Sequence, residues 1–178
     1  TDTILVGRES CYACPVHCNR VVEVTDEGLE VSRKYGGPEY ETIGGFGSGC
    51  GISDIKVVAK ANDMCDRNTL DTISASLMVS GAMETAEKGL LPADLLEGLD
   101  LRFGSAEGLI GLLEQIVNRT GLGKILADGP AGVAEALGDE VAKYFFHVKN
   151  QLLPLHEPRW KTGTGIGFAI SPTGADHM

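Results

Sequence analysis

The sequence predicts a mainly α-helical domain that carries a small N-terminal β-hairpin and a ligand loop. Helical periods dominate the chain after Ser53, where apolar positions recur at intervals of three and four residues. Before that point, residues 21–35 read as two short strands around a turn at 26–28. Three cysteines crowd the first 20 residues, so residues 1–20 are predicted to form a metal-binding loop.

The predicted helices have recognisable start and stop signals. Ser53 or Asp54 caps a first helix that runs to about Cys65. The second, at 72–88, is apolar nearly all round until Glu84, which is typical of a core helix. Further helices are predicted at 105–119 (capped by Ser105), 130–138 (begun by Pro130 and closed by Gly138) and 139–145, with irregular structure at 36–52 and a tail of loop with at most one strand.

We expect a single domain over residues 1–178, cut from a longer protein, because the chain begins without methionine and ends abruptly. Its predicted parts are a cluster-binding loop (1–20), a hairpin and Gly-rich loop (21–52), and a helical body with a C-terminal loop (53–178). A 43% hydrophobic composition is enough to bury a core. The net charge of −10 makes nucleic acid and anionic membranes poor partners, and the charge-free runs are too short to span a bilayer.

The strongest local motif is the run Cys11, Cys14 and Cys18, spaced C-x2-C-x3-C. An odd total of five cysteines, three of them crowded together, favours metal ligation in a reducing, cytoplasmic compartment over disulfides. Three ligands of a [4Fe–4S] cluster is the preferred interpretation. Zinc completed by His17 or a distant cysteine is an alternative, and so are buried structural thiols. Neither Cys50 nor Cys65 has a spacing that marks it as the fourth ligand.

Acidic residues and a terminal histidine are the other candidates. Glu39 and Glu41 would point the same way in an extended segment, although a solvated loop explains them equally well. Asp71 can simply cap the next helix, whereas no local role explains Asp66. His177, almost at the end of the chain, carries no signal by itself.

Taken together, several segments resemble one family, the aldehyde:ferredoxin oxidoreductases, and occur in the family's order. They are CYACPVHCNR, GGPEYET, NDMCDRNTLDTIS, AMETAEKG, VKNQLLPLHEPR and GADHM. The resemblance extends over essentially the whole chain and is more specific than any single motif. It implies that the chain is the first of two helical domains. A β-rich N-terminal pterin-binding domain and the second helical domain would then lie outside it.

The resemblance also implies cofactors and the residues that serve them. Cys11, Cys14 and Cys18 correspond to three ligands of a [4Fe–4S] cluster whose fourth ligand lies beyond this chain. The active metal is tungsten, sometimes molybdenum, held by two pterins. Asp66 and Asp71 correspond to acids that contact a pterin, whose N–H groups need acceptors.

Glu41 and His177 correspond to an acid and a histidine beside the metal, which is a suitable set for proton transfer. The implied reaction interconverts an aldehyde and a carboxylic acid, with electrons leaving singly through the cluster to ferredoxin or a similar acceptor. The fragment alone is expected to be inactive. The alternatives are a related tungsten-dependent reductase, such as an aromatic coenzyme A-thioester reductase subunit, and, from another class, a small zinc-binding structural module.

Two positions depart from the family pattern. Thr69 stands where the loop between the two aspartates has glycine, which is costly if the position requires a positive φ. Lys60 stands where some members use a glutamate to bind a metal that bridges subunits. Because a cation has the wrong charge for that role, no bridging metal is expected.

Overall fold

The chain opens with an antiparallel hairpin whose two strands flank the cysteine loop. In the computed structural model, which describes residues 3–177, β1 (Leu5–Glu9) pairs with β2 (Asn19–Val22). Glu9 lies opposite Asn19 in the register, so residues 10–18 form the connection between the strands. The predicted N-terminal hairpin is therefore confirmed, and the cysteines lie at its tip.

The predicted position of the hairpin, residues 21–35, is wrong. That segment contains the end of β2 and a single isolated bridge between Val24 and Val31, closed by the turn at 26–28. The valines at 21 and 22 pair with β1 instead, because β1 supplies an edge that the local pattern did not reveal. The alternating apolar residues still have a packing role, since Val22, Val24 and Val31 share a small buried cluster with Ile4 and Ala59.

The Gly-rich stretch is helical, so the prediction of irregular structure at 36–52 is wrong. Helix α1 (Tyr40–Thr42) continues directly into a π-helical segment, Ile43–Gly49. Glycine disfavours helix, but tertiary packing overrides that propensity here. A Cβ at Gly45 would collide with the Ser76 hydroxyl, and one at Gly44 would collide with the Leu155 side chain. The glycines allow this helix to pack closely against its neighbours.

Three longer helices form the body and follow the predicted signals. They are α2 (Ile55–Arg67), α3 (Thr72–Glu87) and α5 (Ala106–Asn118), which follows the short helix α4 (Ala93–Leu96). Asp54 caps α2 by accepting from the Lys56 N–H at 2.9 Å, and Ser105 caps α5 by accepting from the Gly108 N–H at 3.1 Å. The fully buried core side chains include Phe46, Val58, Val79, Met83, Leu109, Leu112, Leu113, Leu122, Val133 and Phe145.

Shorter elements complete the domain. They are α6 (Gly121–Leu126), α7 (Gly129–Leu137), α8 (Asp139–Ala142), β3 (His147–Val148), β4 (Gln151–Leu152) and α9 (Thr162–Ile170). Pro130 lies in the first turn of α7 and Gly138 ends it, as predicted. Across residues 3–177, no helix combines the length and apolar character that crossing a membrane requires.

The tail contains more structure than the predicted loop with at most one strand. Strands β3 and β4 pair through Lys149 and Asn150, both at positive φ, which is the geometry of a tight hairpin turn. Helix α9 contains three glycines in nine residues, so propensity gave no reason to expect it. Packing again explains the difference, because Phe168 is buried and Gly165 lies close to Pro158.

Candidate functional site

The centre of the candidate site is Glu41, a buried carboxylate on α1. Only 7% of the residue is exposed. Its Oε1 accepts a hydrogen bond from the Tyr40 hydroxyl at 2.8 Å, and its Oε2 accepts one from the Leu155 backbone N–H at 2.9 Å. The buried acid is therefore held by two hydrogen-bond donors, which offset the loss of water around it.

Two histidines complete this cluster. His156 Nε2 lies 2.6 Å from the Tyr40 hydroxyl and 3.3 Å from Glu41 Oε1. The ring of His177 packs against that of His156, with centroids 4.9 Å apart and planes tilted by 34°. A carboxylate oxygen of Glu41 and one ring nitrogen from each of His156 and His177 all lie within 4.8 Å of one another. The structure thus places Glu41 beside His177, from opposite ends of the chain, while their roles stay predictions.

Sequence reasoning did not single out Tyr40 or His156 as site residues. The available signal was weak: His156 lies between Pro154 and Pro158, in the kind of irregular segment that often carries site residues. The hydrogen bond to Glu41 raises the pKa of Tyr40, and burial and the charge of Glu41 act in the same direction. The tyrosine hydroxyl is therefore kept as a proton donor to the carboxylate.

Close backbone packing brings the distant segments to α1. The Leu155 side chain fits over Gly44, where a Cβ would leave no room, and this contact carries His156 towards Tyr40. At the other end, Gly174 adopts a φ of 103° and lies against the Val148 carbonyl, where any side chain would clash. Ala175 is buried beside it, so the terminal segment returns over β3 and presents His177.

A cavity of about 610 Å³ adjoins Glu41 and has the two predicted aspartates, Asp66 and Asp71, in its wall. The size is within the range of small-molecule sites. The wall also includes residues of the cysteine hairpin, the 34–37 segment and α2: Glu9, Asn19, Arg20, Lys34, Tyr35 and Asn62. A second cavity of about 310 Å³ contains Asp71 and His177 in its own wall. Asp71 therefore lies between the two cavities.

The two aspartates differ in how the protein already uses them. Asp71 caps α3, accepting hydrogen bonds from the N–H groups of Ile73 at 3.4 Å and Ser74 at 2.8 Å. Asp66 accepts one bond, from the Asn62 amide at 2.8 Å. Partial burial raises the pKa of Asp66, the Asn62 hydrogen bond opposes that shift, and the nearby Asp63 charge adds to it. Both carboxylates keep lone pairs for a ligand in the cavity.

The two departures from the family pattern are visible in the backbone and in side-chain contacts. Thr69 has a φ of 56°, so the loop between the aspartates does require the left-handed conformation at this position. That conformation costs an L-residue about 1–2 kcal/mol. Lys60 uses its ammonium to donate to the Glu30 carbonyl at 3.2 Å.

The cysteine loop is open by comparison. Cys11 and Cys18 are exposed and Cys14 is partly so. The Cys14 N–H donates to the Cys11 carbonyl at 3.0 Å, and Ala13 and His17 both adopt positive φ, so local turns set the loop's shape. Among residues 3–177, the three thiol sulfurs do not all lie within 4.8 Å of one another, whereas the nitrogen and oxygen atoms of the Glu41 cluster do. A single zinc ion, with zinc–sulfur bonds of about 2.3 Å, would draw its thiolates within about 4 Å of one another.

The other two cysteines are chemically different. Cys50 and Cys65 are fully buried in the core. Burial raises the pKa of each thiol to about 12, and the charges of Asp66 and Asp71 add to the effect at Cys65. A thiol that resists deprotonation is a poor metal ligand. Both residues therefore behave as small core side chains.

Comparisons with known proteins agree on one family. A family model described as aldehyde ferredoxin oxidoreductase, domains 2 and 3, matches residues 1–178. A tungsten-containing aldehyde ferredoxin oxidoreductase of Thermococcus kodakarensis is 37% identical over 179 residues, covering 100% of this chain and 28% of the relative. The corresponding Pyrococcus furiosus protein is 37% identical over 175 residues, which is 98% of this chain and 28% of the relative. The chain thus spans little more than a quarter of these relatives.

Two other matches extend the range of chemistry. The aliphatic sulfonate oxidoreductase WOR-like subunit of Pyrococcus furiosus is 30% identical over 172 residues, 93% of this chain and 27% of the relative. Among solved structures, the active site complex BamBC of benzoyl coenzyme A reductase, in complex with 1,5-dienoyl-CoA, matches with a TM-score of 0.72. It is 25% identical and the match covers 98% of this chain and 26% of that one.

Proposed function

Since the chain belongs to the aldehyde ferredoxin oxidoreductase family, we propose that the protein of which it is part interconverts aldehydes and carboxylic acids. Oxidation of an aldehyde consumes one water and releases two protons and two electrons. The observation that carries the proposal is the buried Glu41, joined to His177 at the edge of a cavity of about 610 Å³. Such a site places a proton acceptor at the edge of a cavity large enough for a small molecule.

The polar side chains in the cavity wall fit a pterin cofactor. Asp66, Asp71 and the Asn62 carbonyl oxygen are acceptors that suit the amino and ring N–H groups of a pterin. Arg20 and Lys34, in the same wall, provide positive charge for its phosphate. When bound, a tungsten or molybdenum bis-pterin supplies the two-electron redox chemistry. Because the relatives are named as tungsten-containing, we favour tungsten.

Glu41 acts as the general base in this proposal. Its carboxylate is fixed by Tyr40 and by the Leu155 N–H, so it does not have to be reoriented before it takes a proton. A positioned base of this kind contributes about 10²–10⁴-fold to the rate. His177 is more exposed, and we assign it to the orientation of the substrate oxygen.

The loop at 10–18 would hold a [4Fe–4S] cluster, which would supply one-electron transfer away from the site. Cys11, Cys14 and Cys18 would provide three thiolates, and the fourth ligand would come from outside this chain. The exposure of Cys11 and Cys18 supports a site that another part of the protein completes. The final acceptor is ferredoxin or a similar small electron carrier, in a reducing, cytoplasmic compartment that preserves the crowded thiols.

A second candidate is a different reduction on the same scaffold. The benzoyl coenzyme A reductase complex shares the fold at a TM-score of 0.72, and it is in complex with 1,5-dienoyl-CoA. The proton-handling set around Glu41 would suit that chemistry as well, since ring reduction requires proton delivery. The substrate therefore distinguishes the two candidates, and the residues around Glu41 do not.

The full-length protein, purified without oxygen, tests the proposal. Aldehyde-dependent reduction of a viologen dye should accompany stoichiometric tungsten, with iron present at the level of a four-iron cluster. The same samples should be assayed with an aromatic coenzyme A thioester and an aliphatic sulfonate. Turnover of either compound without aldehyde activity would contradict the proposal and favour the related reductase. Stoichiometric zinc without iron would point instead to the zinc-binding structural module.

A further inference from the structure

Glu41 needs an outlet for protons that does not lead through the cofactor cavity. Only 7% of Glu41 is exposed, and the residue forms part of the wall of the 610 Å³ cavity. Under the proposed function, on which this inference rests, cofactor and substrate fill that cavity and each oxidation releases two protons. A buried base that has taken a proton must pass it on before the next turnover.

Tyr40 and His156 lie on another side of Glu41 and connect it to the surface. The Tyr40 hydroxyl is 2.8 Å from Glu41 Oε1 and 2.6 Å from His156 Nε2, so one O–H group joins the acid to the imidazole. The side chain of His156 is 24% exposed and Tyr40 is 57% exposed, so both groups reach the surface of this chain. Two hydrogen bonds therefore lead from a buried carboxylate to a partly exposed imidazole at the surface of this chain.

We propose that His156 accepts, through the Tyr40 hydroxyl, the proton that Glu41 takes up, and releases it to water. Once Glu41 is protonated, the Tyr40 hydroxyl, which otherwise donates to the carboxylate, turns to donate to an unprotonated Nε2 of His156. The proton on Glu41 then moves to the Tyr40 oxygen while the hydroxyl proton of Tyr40 moves to that Nε2. Glu41 returns to the carboxylate, Tyr40 ends with one proton, and His156 becomes an imidazolium that water deprotonates. The step moves one proton and involves no electrons. His156 acts on the reaction only through Glu41 and is thus a positioning residue.

The charged groups around His156 are consistent with this direction of transfer. Glu157, the next residue, accepts hydrogen bonds from Arg159: the guanidinium at 2.8 and 2.7 Å and the backbone N–H at 2.9 Å. These bonds lower the pKa of Glu157 to about 2, so it does not compete for a proton near neutral pH. In the described part of the chain, the titratable groups seen in contact with His156 include Tyr40, Glu41 and His177.

A structural role for His156 makes different predictions from a relay. As a structural contact, the ring would only hold the 154–158 segment against α1, and any effect of its loss would follow from misplaced residues and lost cofactor. As a relay, the imidazole must gain and lose a proton. His156→Gln keeps a donor for Tyr40 but cannot carry a proton, whereas His156→Ala opens space that free imidazole can occupy.

The test uses the full-length enzyme with its tungsten and iron contents measured on every sample. We expect His156→Gln and His156→Ala to lower kcat about tenfold or more with a much smaller change in KM. Imidazole in the buffer should restore much of the rate of His156→Ala in proportion to its neutral form. Tyr40→Phe should lower kcat similarly, and adding it to His156→Gln should cost little more, because both interrupt one path. His147→Gln, at an exposed histidine of β3, is the matched control and should keep the wild-type rate.

Each other outcome contradicts a defined part of the account. Full turnover in His156→Gln would overturn the relay while leaving the proposed function intact. Loss of turnover that tracks loss of tungsten, without rescue by imidazole, would show a structural contact instead and also overturn the relay. A wild-type enzyme that is fully loaded yet inert with every aldehyde would overturn the proposed function, and this inference with it.

Discussion

The cysteine loop and the Glu41 cluster border the same cavity but are built in opposite ways. Residues 9 and 19, at the base of the loop, and Glu41 are all part of that wall. The loop exposes Cys11 and Cys18 and takes its shape from neighbours in sequence. The Glu41 cluster has a buried carboxylate at its centre and joins residues 114 and 116 positions apart. Under the proposed function, this chain alone would assemble the proton-handling side, whereas the electron-transfer side would be completed from outside.

The contrast has a physical cause. A loop held by short turns can form early in folding, because closing it loses little chain entropy. The contact of Leu155 with Glu41 can form only when the whole helical body has packed. That contact produces a buried carboxylate with both oxygens hydrogen-bonded, which a surface loop cannot provide. Proton transfer requires that fixed geometry, while cluster binding requires accessible thiolates.

Substitution at the loop should produce the largest effect, because the cluster is held by so few ligands. We expect Cys14→Ser in the full-length enzyme to lose most of its iron and all electron transfer to ferredoxin, since a serine hydroxyl is a poor iron ligand. Cys50→Ala, at a buried thiol of raised pKa, is the control and should keep its iron. Iron analysis and ferredoxin reduction measure both. Equal iron content in the two variants would contradict the assignment of the exposed cysteines, and not the buried ones, as cluster ligands.

Asp71 sharpens the contrast on the cavity side, because its two roles can be separated. Asp71→Ala removes the cap of α3 and should lower the free energy of unfolding by about 0.5–2 kcal/mol. Asp71→Asn keeps the cap but loses charge and one acceptor. We expect stability to fall only in the alanine variant and tungsten content to fall in both. If Asp71→Asn retains full tungsten, the residue is a helix cap and nothing more.

Thr69 should show the smallest effect, and it measures strain in the loop between the two aspartates. Its φ of 56° costs about 1–2 kcal/mol, which glycine would relieve. Glycine in turn loses about 0.5–1 kcal/mol of stability, because its backbone loses more entropy on folding. Thr69→Gly should therefore raise the free energy of unfolding by up to about 1.5 kcal/mol. Glu114→Gly, on the exposed face of α5, should instead lower the free energy of unfolding by about 0.5 kcal/mol. Urea unfolding compares them, and a destabilised Thr69→Gly would show that the loop carries no strain.

Much of the helical body is predictable from the sequence because its signals are local. Asp54, Ser105 and Gly138 end or cap helices within one or two residues of the predicted positions. The π-helical segment and α9 are not predictable in this way. Their glycines oppose helix, and only close contacts with distant residues, such as Ser76 and Pro158, explain them.

The candidate site is less predictable than the fold. The chemistry of Glu41 and His177 came from the family resemblance, since neither residue lies in a periodic pattern. Tyr40 and His156 were missed because their hydrogen bond spans 116 positions and leaves no trace in local spacing. Asp71 carried a real local signal, its capping position, and that signal described only one of its two predicted roles.

Glu41→Gln in the full-length enzyme tests the central claim most directly. The substitution preserves size and removes the base, so aldehyde-dependent viologen reduction should fall about 10²–10⁴-fold. Tungsten and iron, measured on the same samples, should remain at wild-type levels, and Glu114→Gln should keep the wild-type rate. Nearly full turnover by a fully loaded Glu41→Gln enzyme would contradict the account, and would leave the buried acid only as a structural anchor for the 154–158 segment.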